Sequence, residues 1–415
     1  MIHSTYSQDY RPARALVPRL CIMYFLHTVA MGAVIPIFSL YFRNEAGLSG
    51  SQTGIVLAMA AVSAFISPLV WAVIVDRLIS AERLLALSHA AGAVLVWSLS
   101  HAEGFYPLLF GYLGYMIFMG STMPLLNTVV FGHLQERGKG EYGRIRVFGT
   151  LGWIMVAWFF SFFWLRAVDS AAFVDALRVS AAASVVMSLW SFSIPRRRHL
   201  HSGSITRLIP KEAIRVVLRP EVLAVIFAML LMVVMDRFYI YGGSPLLASL
   251  GVNSSSIMPI MSLGQIPELF ALFYLDRLIL RWGYRRVILF GLMFQVFRFT
   301  VFLVAGWLPL ALIAVGFSVH GFTYAFGPAL CSMYVDTHCE PHNRGGVHQI
   351  LQLLSFGIGN VIGNISAGML ADVGELRGST GFELFYAAMV IIAVFAVVWV
   401  RLKIPASAAA PADVQ

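Results

Sequence analysis

Runs of about twenty apolar residues, each closed by charged or turn-forming residues, succeed one another along almost the whole chain. A helix needs about 20 such residues to cross a bilayer. The pattern predicts twelve crossings, at approximately 17–42, 52–75, 84–101, 105–131, 147–166, 171–194, 221–242, 254–275, 285–304, 307–334, 346–371 and 382–402. The longest connection, Pro195 to Pro220, is too short to fold by itself. The expected class is an all-α polytopic membrane protein. Gly54, Ser63 and Ser67 supply small side chains where the second run must pack closely on a neighbour.

Composition sharpens this picture. Of 415 residues, 59% are hydrophobic and 12% charged, against about 25% charged in soluble domains. The net charge of +9 is segregated by loop, so it reads as a topology signal and not as a nucleic-acid footprint. One side receives Arg11, Arg14, Arg19, Arg77, Arg83, Arg137, Lys139, Arg144 and Arg146, the basic connector after Pro195, Arg277, Arg281, Arg285, Arg286, Arg344, Arg401 and Lys403. The other side holds Arg43, Arg166, Arg178 and Arg377. Basic loops stay cytoplasmic, which predicts a multi-pass inner-membrane protein with both termini in the cytoplasm. The first run lacks a small-residue cleavage site and reads as an uncleaved helix. Cys21, Cys331 and Cys339 lie in or beside predicted spans and suggest no disulfide framework.

The charged loops also repeat. Asp76-Arg77-Leu78-Ile79 follows the second span and Asp276-Arg277-Leu278-Ile279 the eighth; Arg144 and Arg344 recur at the same offset. This predicts a duplicated architecture: a six-helix bundle over 1–194, a cytoplasmic linker over 195–220, a second six-helix bundle over 221–403 and a disordered tail over 404–415. Asp76, Arg77, Asp276 and Arg277 are expected to act as a gating latch, pairing in one conformation and separating in another.

The densest candidate chemistry lies in Glu141-Tyr-Gly-Arg-Ile-Arg-Val-Phe-Gly-Thr-Leu-Gly-Trp153, where a charged loop runs into an apolar helix. Arg146, Thr150 and Trp153 share one helical face, offering a cation, a hydroxyl and a ring to a polar solute. Hydrophobic Ile145 and Val147 place Arg146 inward and leave Arg144 to water or lipid phosphate. Elsewhere at membrane depth stand Asp236, Arg237, Glu268, Arg298 and His320, with His27, His89 and His348. Such groups are costly in hydrocarbon and need partners or a wet cavity. Asp236 and Arg237 diverge by about 100° on a helix, so one of them needs a partner on another helix, for which Glu268 and Arg298 are candidates. Gln265 and Glu268 share a face, as do His320 and Tyr324. Gln349, Gln352, Asn360 and Asn364 form a polar stripe that suits a water-filled path. Glu268 is the first candidate for a proton carrier and Asp236 the second, with the Arg298 cation shifting their balance. His320 either titrates or packs.

Other chemistries find little support. His338-Cys339-x-x-His342 with His348 matches no standard zinc spacing. There is no phosphate-cradling G-x-x-x-x-G-K-[ST] loop. Ser318 and His320, two residues apart, point to different faces. No cofactor and no catalytic group is expected.

The repeated Asp-Arg loops and twelve runs resemble the major facilitator superfamily. Gly54-Ile55-Val56 through Pro68 to Asp76-Arg77, and the Glu141–Trp153 stretch, resemble its lactose permease and nucleoside–proton symporter group. The resemblance implies two pseudo-symmetric six-helix bundles around a central cavity that opens alternately to each side. Ala72 and Ile79 stand where the superfamily usually has glycines. Asp236, Glu268, Arg298 and His320 match the order of polar residues in galactoside permeases, but Thr323 and Asn127 replace two of their acids. Pro124-Leu-Leu-Asn127-Thr128 and Gln265-Ile-Pro-Glu268 look instead like the nucleoside symporters. Arg237, His320 and Tyr324 depart from that group, and the His320-Gly321 segment resembles phenylpropionate permeases. The implied solute site joins Asn127, Arg146, Thr150 and Trp153 to Arg237, Gln265, Glu268, His320 and Tyr324. The expected function is proton-coupled uptake of a nucleoside or sugar-like solute by a monomer embedded in lipid. An aromatic carboxylic acid permease is the alternative, and a non-transporting receptor or an intramembrane enzyme stands behind it.

Overall fold

The computed structural model describes residues 16–77, 79–134, 139–164, 173–196, 211–340, 344–376 and 382–405. The side chains of Asp76 and Arg77, most of the basic connector, His342 and the tail beyond 405 lie outside the described residues. Within those limits every regular element is helical.

In chain order the main helices are α1 (Leu16–Val34), α2 (Gly50–Arg77), α3 (Ala81–Leu99), α4 (Phe105–Met119), α5 (Thr122–Leu134), α6 (Lys139–Phe159), α7 (Val174–Ser191) and α8 (Pro220–Ser249). They continue with α9 (Ser254–Ser262), α10 (Gln265–Leu303), α11 (Leu310–Ser318), α12 (His320–Tyr324), α13 (Leu330–Asp336), α14 (Arg344–Gln352), α15 (Gly359–Leu376) and α16 (Phe382–Lys403). Each predicted apolar run falls on helix where it is described. Eight helical stretches among the described residues are long and apolar enough to cross a membrane. The difference from twelve has local causes. Two predicted runs merge into the stretch Ser254–Leu303, the second run counts as a shorter apolar helix over Gly50–Ile66, and α3 opens on Glu82 and Arg83 while α7 is diluted by serines.

Several runs break where their sequence requires it. α9 and α10 are separated at Leu263-Gly264, and Pro267, lacking an N–H, stands in the first turn of α10, where that group would have no partner within the helix. The Gly327-Pro328 pair bends the segment between α12 and α13, with Gly327 at non-helical dihedrals. Gly283, at φ 76°, reverses the chain inside α10, a left-handed backbone that glycine adopts without a Cβ clash. Such interruptions leave polar backbone groups and side chains together at mid-helix, where transporters place their sites.

Packing joins α1 to α6 and α7, α3 to α7, α8 to α15 and α16, and α10 to α12 and α16. The N- and C-terminal halves of the sequence meet chiefly where α2 lies along α15, and a Cβ on Gly54 of α2 would run into the backbone of Asn364 on α15. At one end of this seam the Asp372 carboxylate caps the start of α2. Gly50 N–H donates to Oδ1 at 2.6 Å, and Ser51 donates to Oδ2 through its N–H (2.8 Å) and its hydroxyl (2.5 Å). Nearby, the Tyr241 hydroxyl donates to the Gly50 carbonyl at 2.9 Å and Ser39 Oγ donates to the Tyr241 carbonyl. Trp158 Nε1 donates to Ser262 Oγ at 3.1 Å, tying α6 to α9. A carboxylate at a helix N-terminus satisfies orphan N–H groups and meets the positive end of the helix dipole. These contacts close one face of the molecule.

Candidate solute site and charge cluster

α6 carries Arg146, Thr150 and Trp153 on one face, as their spacing predicts. Ile145 is fully buried, and Arg144 and Arg146 are both exposed. Burial of Ile145 therefore pins the helix while both neighbouring arginines reach outward. Arg146 lies within electrostatic reach of Tyr142, Tyr324, Glu268 and Tyr24, two of them from the C-terminal half. Thr150 and Trp153 are half-buried. The Trp153 ring rests against Gly32 of α1, where a Cβ would stand 3.1 Å from it.

One turn of the site is built around Asn127 of α5. Its Oδ1 accepts from the Tyr142 hydroxyl at 3.1 Å and from the Tyr24 hydroxyl. Two donors on one oxygen fix the amide plane, so the Nδ2 donors have a defined direction. Tyr142 is itself held by stacking on Phe131, ring centroids 4.4 Å apart. The sequence reading found Asn127 and passed over Tyr24 and Tyr142.

The C-terminal half gathers its ionisable groups into a dense cluster. Arg298 is 0% exposed. Its Nη2 donates to Gln295 Oε1 at 2.5 Å and its Nη1 to His320 Nδ1 at 2.9 Å, with the guanidinium carbon 4.4 Å from the Tyr239 ring centroid. An arginine has no acceptor, so His320 Nδ1 must be the acceptor, which leaves the ring proton on Nε2 and the imidazole neutral. His320 stacks on Tyr239 at 4.4 Å. Asp236 Oδ1 stands 3.7 Å from the same Nδ1, beyond a hydrogen bond.

Asp236 and Arg237 are ion-paired with each other. Their divergence on the helix is overcome by the length of the arginine side chain, so the expected search for a partner elsewhere is only partly met: Asp236 still feels His320 and Arg298. The polar stripe also divides. Asn360 and Asn364 are buried, the Asn364 amide donating to the Asn360 carbonyl at 3.0 Å, so they seal the α15–α2 seam, while Gln349 stays half-buried and Gln352 exposed.

Glu268 sits in the first turn of α10, directly after the break at Gly264, and α12 crosses it so closely that a Cβ on Gly321 would strike its backbone. Among the described residues its carboxylate makes neither hydrogen bond nor ion pair, though it lies within reach of Arg146 and Asp236. Gln265 is half-buried on the same turn, and Tyr324 reaches the surface beside it. Asp276 and Arg277 are exposed and make no ion pair among the described residues; Arg277 lies over the Tyr274 ring. The histidine-cysteine loop is internally satisfied: His338 meets the Tyr334 carbonyl, Cys339 the Val335 carbonyl, and His348 the Asp336 carboxylate at 3.2 Å.

The chain as a whole has relatives. The family model described as "Nucleoside H+ symporter" matches residues 15–404. The putative nucleoside transporter YegT of Escherichia coli K12 is 27% identical over 366 residues, covering 85% of this chain and 84% of that protein. The nucleoside permease NupG of the same organism is 23% identical over 403 residues, covering 91% and 94%. A crystal structure of nucleoside transporter NupG superposes with a TM-score of 0.80 at 22% identity, over 94% of this chain and 98% of that one. The likeness extends over nearly the whole length of both chains.

Proposed function

We infer that this chain, which belongs to the nucleoside H+ symporter family, takes up a nucleoside together with a proton by alternating access. The protein is a multi-pass membrane transporter and not an enzyme. In our reading its helices form twelve crossings in two six-helix halves, with both termini in the cytoplasm of the inner membrane and the monomer as the working unit. The face closed by Asp372, Gly50 and Tyr241 is then the outer one, and the solute site opens inward.

One observation carries the coupling: Arg146 and Glu268 lie within electrostatic reach of each other from opposite halves, and the Glu268 carboxylate has no hydrogen-bond partner among the described residues. Asp236 and Glu268 together offset Arg237 and Arg298, leaving Arg146 as the surplus cation. A proton on Glu268 removes its pull on Arg146, which is then free to donate to solute oxygens. The order of binding is proton first, solute second. On the N-terminal side Asn127 and Thr150 supply hydrogen bonds and Trp153 an apolar ring face; Gln265, Tyr324, Arg237 and His320 complete the site opposite. Asp76-Arg77 and Asp276-Arg277 would form the inner latch when the site faces outward.

Tracer uridine uptake into cells lacking nucleoside transport tests this, with and without a protonophore. Uptake that collapses with the protonophore is the expected result. No uptake of uridine, alongside uptake of an aromatic carboxylate, would overturn the substrate assignment in favour of a site organised by Arg146 and Arg237 as anion ligands.

A further inference from the structure

A second site lies apart from the solute residues and shares none of them. Where α10 reverses at Gly283, the turn meets the end of α16 and encloses a cavity of about 690 Å³. Arg281, Arg285, Arg286 and Arg401 line it together with Leu289 and Met293. Among the described residues no carboxylate lines the cavity, and none of the four arginines has an ion-pair partner. Arg285 Nη2 donates to the Arg401 carbonyl at 2.5 Å, so a guanidinium from one helix turn is fixed on the end of another helix 116 residues further along the chain. Cations confined together repel, and an anion between them relieves the repulsion. Cytoplasmic positive charge explains basic residues in this turn. It does not explain why a fourth arginine, from a separate helix, converges on the same hollow.

The walls identify the anion. Leu280 and Met293 are 56% and 55% exposed and continue the cavity onto the outer surface of the helices, with Trp282 at its edge. A phosphate with free water around it gains nothing from such walls, whereas acyl chains do. Guanidinium groups bind phosphate oxygens in a planar, two-pronged manner, and basic pockets at the cytoplasmic boundary suit anionic headgroups. We propose that this cavity binds the phosphate headgroup of an anionic phospholipid, with its acyl chains lying along Leu280 and Met293. The site is independent of which solute the protein carries.

The test is lipid retention by the full chain, purified from membranes containing cardiolipin and phosphatidylglycerol and examined by native mass spectrometry. Wild-type protein should retain one of these anionic lipids in preference to phosphatidylcholine. Each arginine near a headgroup contributes about a fivefold factor, so R281Q/R286Q/R401Q should lower retention on the order of a hundredfold. R215Q/R219Q, two exposed arginines outside the cavity, should retain lipid as the wild type does. Equal loss in both variants, or no loss in the triple variant, would overturn the proposal. Should the triple variant fail to fold, the wild type alone decides. Its thermal midpoint should rise in nanodiscs containing cardiolipin over phosphatidylcholine alone, and an unchanged midpoint rejects the site. Displacement of the lipid by millimolar inorganic phosphate would also reject it and assign the cavity to a free anion.

Discussion

Arg146 and Arg298 are both arginines on apolar helices, and the protein holds them in opposite ways. Arg298 is wholly enclosed, with Gln295, His320 and the Tyr239 ring around its guanidinium and Asp236 beyond. Arg146 is exposed and bonded to none of the described residues. The same contrast runs through their surroundings. Near Arg298 the guanidinium's two terminal nitrogens are taken up by Gln295 and His320, whereas near Arg146 the Asn127 amide is oriented by two phenols with its own donors left over. An enclosed cation is part of the framework, and its cost is offset within the protein. An exposed, oriented cation is available to something that arrives.

The contrast can be broken most forcefully at Arg298. Arg298→Met removes the donor that keeps His320 neutral and leaves the buried Gln295 amide without its partner, so a loss of about 1–3 kcal/mol of stability is expected, read as a lower thermal midpoint of the purified protein. Adding Gln295→Leu should restore part of that loss, because the stranded amide is then removed as well. A single variant as stable as the wild type would mean that the cluster is no framework at all.

Arg146→Gln should behave in the reverse manner. Stability stays within about 0.5 kcal/mol, as for exposed positions, while the apparent affinity for uridine falls about 10- to 100-fold, the scale of a hydrogen bond to a charged group. Uptake kinetics and thermal unfolding of the same preparation measure both halves of this expectation. A smaller effect is expected for Tyr142→Phe, which leaves Asn127 with one phenol and should weaken uptake affinity about 3- to 10-fold. The smallest concerns the outer closure. Asp372→Asn removes the charge at the start of α2 and should cost about 1 kcal/mol of the closed state. Spin labels at Ser49 and Val373, either side of that contact, would show the longer distance gaining population several-fold.

Most of the framework was legible in the apolar runs, because a membrane helix must satisfy its backbone internally and advertises itself by composition. The mid-helix breaks were less visible: Pro267 and Gly327-Pro328 mark them, but many membrane helices tolerate such residues. In the site, Arg146 and Glu268 stood out as charged groups in apolar surroundings, and Asn127 came in through the resemblance to the nucleoside symporters. Tyr24, Tyr142 and Tyr239 did not, since a tyrosine in a membrane helix reads equally as packing or as an interfacial anchor. Gln295 gained its meaning only from Arg298, one turn away on the same helix. The Asp236–Arg237 pair was foreseen only in part: Asp236 does stand near His320 and Arg298, but helical angles describe where side chains start, and the long Arg237 side chain ends on its neighbour. Asp372, near the end of a span, looked like a loop residue; its role as a cap depends on a helix more than three hundred residues earlier.

The central claim is that Glu268 takes the transported proton, and Glu268→Gln tests it most directly. Uridine accumulation against a gradient and uridine counterflow at equal pH would be measured in the same vesicles. Accumulation should fall to the equilibrium level while counterflow persists, because the neutral amide mimics the protonated carboxyl and still permits exchange. Accumulation at the wild-type level would contradict the claim outright. Equal loss of both activities would place Glu268 in solute binding and leave the proton to another group.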